Sequence, residues 1–65
     1  MLTIDPKLRH DFINNSLRLE VISKLISEDL NLNKTPNLQQ INDLEEFLQK
    51  EINLIKEIKQ QIHTN

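Results

Sequence analysis

Apolar residues recur at steps of three and four along most of this chain, and the recurrence breaks once. Leu8, Phe12, Leu19, Ile22, Ile26 and Leu30 fall on one stripe of a helix turning about 100° per residue. A second set, Ile13, Leu17, Val21 and Leu25, lies on the opposite side of the same segment. The pattern resumes as a heptad at Ile41, Leu44, Leu48, Glu51, Ile55, Ile58 and Ile62, with Glu51 its one polar member. Phe47, Ile52 and Leu54 flank that heptad and widen the apolar arc beyond a two-stranded seam, as in bundles of more than two helices.

Two Pro-containing pairs punctuate the pattern. Asp5-Pro6 reads as a helix start, with the carboxylate capping free N–H groups and the ring in the first turn, where a missing N–H costs nothing. Thr35-Pro36 repeats the device, and the intervening Asp29-Leu30-Asn31-Leu32-Asn33-Lys34 is rich in turn-forming side chains. These signals predict a first helix over about residues 6–30, a joint over 31–35 and a second helix over 36–62. A short joint makes the helices antiparallel neighbours. The expected fold is all-α: one domain over residues 1–65, a two-helix hairpin. A hairpin helix needs one apolar stripe; two on the first helix call for a second partner, so the hairpin is expected to dimerise into a four-helix bundle. Asn15 falls on the main stripe, where a buried amide would fix register, or where it would sit at a wet bundle end. Glu51 should meet a basic or amide group across the bundle.

Composition narrows the partner. Sixty-five residues form a marginal core, because a chain this short buries only about 60% of its unfolded surface. Disulfides, metals and oligomerisation are the usual remedies. There is no cysteine, and His10 and His63 are far apart with no acidic ligand cluster around either, which leaves oligomerisation and predicts no resident metal or cofactor. A formal charge of −2 without basic clusters gives no case for nucleic acid. No apolar run approaches the roughly 20 residues of a membrane span, and the opening residues carry no basic, then apolar, signal segment. A cytoplasmic, homodimeric protein is the expectation, with the helix cap soon after Met1 fitting a complete small chain, although a piece cut from a kinase would look the same.

One constellation carries chemistry. His10 and Asn14 stand one turn apart on one face, with Asp11 beside the histidine. Neutral imidazole is a competent nucleophile toward phosphorus at physiological pH. A neighbouring carboxylate can hold its tautomer and accept a proton, and an amide one turn along can position a phosphoryl group without adding negative charge. The run His10-Asp11-Phe12-Ile13-Asn14 resembles the H-box of the dimerisation and histidine-phosphotransfer domain of sensor histidine kinases, whose pattern is His, an acidic residue, two variable positions, then Asn or Thr. That family builds helical hairpins dimerising into four-helix bundles, with the histidine on the first helix. The resemblance implies His10 as phosphoacceptor, Asp11 as acid/base partner and Asn14 as the group assisting transfer. It also implies a response-regulator receiver domain, and a histidine kinase, as partners, with Mg²⁺ supplied only through the receiver.

The chain departs from the family at Ile13 and Asn15, where a basic residue and a proline are common, and at Ser16, usually apolar. A glycine-free chain of this length holds no nucleotide-binding loop, so the expected activity is phosphotransferase rather than autonomous kinase. The competing readings are a non-catalytic helical adaptor, or degenerate phosphotransfer domain, that binds a signalling partner, and a purely structural dimerisation hairpin. His63 is expected to be a solvated terminal residue, and Glu45, Glu46, Lys50, Glu51, Lys56, Glu57 and Lys59 a solvated face laced with pairs such as Glu46–Lys50.

Overall fold

The computed structural model describes residues 4–64 and is a helical hairpin. Helix α1 spans Pro6–Asn31 and α2 spans Leu38–Thr64, packed along their length in a rod of 49 × 15 × 15 Å. The opening residues Met1–Thr3, read above as free of a signal segment, lie outside the described residues. Among the described residues, no helix is long and apolar enough to cross a membrane.

The joint follows from local chemistry. Leu32 ends α1, and Asn33 takes φ 57°, the left-handed region that glycine usually fills. The Asn33 N–H donates to the Leu30 carbonyl at 3.1 Å and the Lys34 N–H to the Asp29 carbonyl at 2.8 Å. These are the two bonds of a Schellman stop, built here in a chain without glycine because Asn tolerates the left-handed region better than other residues.

Both helix starts differ from expectation. Pro6 does occupy the first turn of α1, but the Asp5 carboxylate makes no capping bond. The Asp5 backbone ties the start to the other helix instead, its N–H donating to Gln61 Oε1 at 2.9 Å. At α2 the cap is Asn37, whose Oδ1 accepts the Gln39 N–H at 2.7 Å, so the helix begins two residues after Pro36. An Asx side chain directly before the first helical residue competes well for that role, and Pro36 then serves as an extended lead-in.

The seam between the helices runs Leu8, Phe12, Asn15, Leu19, Ile22 and Ile26 on α1 against Leu44, Phe47, Glu51, Leu54, Ile58 and Gln61 on α2, all buried or half-buried. On α2 this displaces the predicted heptad. Phe47 and Leu54 turn inward, while Leu48, Ile55 and Ile62 are exposed, as is Leu30 on α1. The apolar arc of α2 is wider than one neighbour can cover, so the bonds of Asn15 to α2 decide which edge faces inward. The buried core is thin: among the described apolar side chains only Leu8 and Leu54 are buried.

A polar cluster stands mid-seam. Asn15 is 2% exposed, and its Nδ2 donates to the Phe47 carbonyl at 3.0 Å and to Glu51 Oε1 at 3.1 Å. The Ser16 hydroxyl donates to Glu51 Oε2 at 2.6 Å. Asn15 is therefore the buried register residue rather than a wet end, and Glu51 has the amide partner its position required. The residue numbers of Asp5–Gln61, Asn15–Glu51 and Ser16–Glu51 sum to nearly one value, as an antiparallel register demands. Asn15 Oδ1 is buried without a hydrogen-bond partner.

Candidate functional site

His10 stands in the second turn of α1 with its side chain 74% exposed. Its position relative to the seam explains this: Leu8 and Phe12, two residues to either side, point inward, and residues two apart face nearly opposite ways on a helix. Asn14 Nδ2 lies 3.3 Å from His10 Nδ1 and 3.1 Å from Nε2. An amide in the ring plane at those two distances would run into the carbon between the nitrogens. The amide therefore sits over the ring face. It orients the imidazole while leaving the in-plane lone pair of the unprotonated nitrogen open to an electrophile.

Asp11 Oδ1 is 3.9 Å from His10 Nδ1. That is an electrostatic neighbour rather than a hydrogen-bond partner, since N–H···O bonds lie near 2.9 Å. The carboxylate is close enough to take up a ring proton after a modest rotation. The structure thus gathers His10, Asp11 and Asn14 on one exposed flank of α1.

Beside them is a polar hollow of about 160 Å³, lined by Asp11, Asn14, Asn15, Arg18 and Lys50. Among the described residues neither Arg18 nor Lys50 has a carboxylate within ion-pair distance, and His10–Asp11 is the one ion pair. The expected Glu46–Lys50 pair is absent from this arrangement because Lys50 turns to the hollow instead. Arg18 was legible as a member of the flank, since His10, Asn14 and Arg18 follow one another at steps of four. Lys50 was not, because only the pairing of α1 with α2 brings it there. The hollow adjoins a larger apolar groove of about 390 Å³ lined by Leu17, Arg18, Val21, Ile22 and Phe47.

The opposite flank has another character. On α2, Leu48 and Ile52 are two residues from Lys50 and Ile55 is five away, which puts them on the far side of the helix from the hollow. That far side also holds the Ser16–Glu51 bond. Leu48, Ile52, Ile55 and Ile62 are all exposed there. The second apolar set of α1, Ile13, Leu17, Val21 and Leu25, is exposed as well, and lies nearer His10.

No group of three or more His, Cys, Asp or Glu side chains suited to a metal occurs among the described residues. His63 is exposed at the end of α2. The chain matches no family model, no curated protein and no solved structure.

Proposed function

We propose that this chain is a histidine-phosphotransfer module that exchanges a phosphoryl group between His10 and the aspartyl phosphate of a response-regulator receiver. The observation that carries the reading is the exposed His10 ring, held from above by Asn14 with its in-plane lone pair free. Neutral His10 attacks phosphorus; the bond from phosphorus to the aspartyl oxygen breaks, and the receiver carboxylate leaves with its electron pair. The second ring nitrogen gives up its proton to Asp11 or to water, which leaves a neutral phosphoimidazole ring. The Mg²⁺ that balances charge at such an aspartate belongs to the receiver.

The module works as a homodimer in this reading. Two buried apolar side chains among the described residues make a thin core for a hairpin of this length, and a chain without cysteine has no disulfide to supplement it. A second copy packed on Leu48, Ile52, Ile55 and Ile62 completes a four-helix bundle and leaves the His10 flank open to a partner.

The test is incubation with a panel of phosphorylated receivers. Acid-labile, base-stable phosphate should appear on the chain and vanish in His10→Ala. If no receiver gives any, the relay reading fails. The apolar groove along Leu17, Val21 and Phe47 favours the alternative of a binding adaptor without chemistry. In that case His10→Ala retains partner binding, and Val21→Glu abolishes it.

A further inference from the structure

The phosphotransfer reading assigns roles to His10, Asp11 and Asn14 and leaves the hollow beside them unexplained. A phosphoryl group on an imidazole is a dianion at neutral pH, and α1 offers it no capping N–H groups so far from the helix start. A cation beside it would favour its formation, adding to what solvent provides. Arg18 and Lys50 are two cations without carboxylate partners among the described residues, and they share the walls of this hollow with Asn14. Asp11 is the one carboxylate on the same walls, so the cations outnumber it.

The placement suits a group attached to His10. Side chains on a helix lean toward its N-terminus, so a long residue covers the turn before its own. Arg18 therefore extends back along the flank toward Asn14, one turn away, and Asn14 covers the His10 ring. Lys50 closes the hollow from α2. An arginine fork presents several parallel N–H donors to phosphate oxygens, while an ammonium acts as a compact point charge, and together they satisfy two edges of a tetrahedral oxyanion.

We infer that the hollow between Asn14, Arg18 and Lys50 is an oxyanion site that receives the phosphoryl group carried by His10. This rests on the reading of His10 as phosphoacceptor. It goes further by naming a two-helix cationic site that neither the His10 run nor the α1 sequence discloses. Because Lys50 comes from the second helix, the site exists only in the closed hairpin, and any change that separates the helices weakens it.

Phosphoramidate tests the site without a receiver. The imidazole nitrogen attacks its phosphorus, the bond to the amine nitrogen breaks, and ammonia leaves carrying the ring proton as ammonium. His63, exposed at the far end of the sequence and outside the hollow, is the internal reference. In the intact chain His10 should label faster than His63, and on labelling the side-chain ¹H–¹⁵N resonances of Arg18 and Lys50 should move. In the Arg18→Gln/Lys50→Gln double variant the rate at His10 should fall about fivefold, the scale of two exposed charge pairs, while the rate at His63 stays unchanged. Both positions are exposed and Gln suits a helix, so circular dichroism should confirm an unaltered fold. Arg18→Lys should restore part of the rate.

Equal labelling of the two histidines overturns the site, as does a His10 rate untouched in the double variant, or unmoved Arg18 and Lys50 resonances in the labelled protein. The two readings fail separately. Receiver exchange that proceeds at full rate in the double variant keeps the relay and removes the oxyanion site. Cation-dependent labelling with no exchange from any receiver does the reverse.

Discussion

Asn15 and Glu51 are the residues on which the pairing turns. The buried Asn15 amide nitrogen donates to the half-buried Glu51 carboxylate and to the Phe47 carbonyl, and Ser16 donates to the other Glu51 oxygen, while Asn15 Oδ1 has no partner. Such a cluster sets register because any slip leaves donors unpaired, and an unpaired buried donor costs about 1–3 kcal/mol. Glu51→Leu should therefore lower stability by about 1 kcal/mol despite its greater apolarity, measured by urea unfolding at fixed protein concentration. Asn15→Leu/Glu51→Leu together should recover that loss, since removing both partners of a buried polar pair is often neutral or stabilising. Ser16, a departure from the phosphotransfer pattern when taken by itself, is accounted for by its 2.6 Å bond across the helices.

At the scale of the element, each helix carries more apolar surface than one neighbour can cover, and its ends are set by short polar side chains. The stop of α1 depends on Asn33 in the left-handed region. Asn33→Val should cost about 1–2 kcal/mol, because a branched Cβ crowds the backbone there, whereas Asn33→Gly should hold or raise stability. Thermal unfolding followed by circular dichroism separates the two. The helix boundaries were legible to within two residues, yet neither the Asp5 nor the Thr35 capping expectation matches the bonds observed. Asx and Thr side chains cluster at both starts, and only the path of the chain selects which one faces the free N–H groups.

For the whole molecule, the question is what covers the exposed apolar flanks. A rod 49 Å long in which two apolar side chains among the described residues are buried resembles half of a bundle. If a second copy packs on α2, Ile52→Lys/Ile55→Lys should shift sedimentation to the monomer and reduce helicity, and the unfolding midpoint of the unaltered chain should rise with concentration. Val21→Lys, on the other side of the rod, should leave the dimer intact. Dimer loss in Val21→Lys with Ile52→Lys/Ile55→Lys unaffected would place the contact on the His10 flank and compete with partner access.

The sequence by itself determined that this chain is all-α, that it bends once near residues 31–35, and that His10, Asp11 and Asn14 stand within about one turn of the first helix; that His10 is exposed there was decided by the packing of the two helices. The first three are local matters: periodicity, turn chemistry and spacing along a single helix act over a few residues and can be read in order. The inward edge of α2, the partners of Glu51 and the presence of Lys50 beside Arg18 were decided only by the tertiary structure. A helix with a broad apolar arc can dock on several edges, and the choice among them depends on polar bonds to the other helix. Before α1 and α2 meet, Lys50 is one more solvated lysine; once Asn15 has fixed the register, it stands at the hollow beside the histidine.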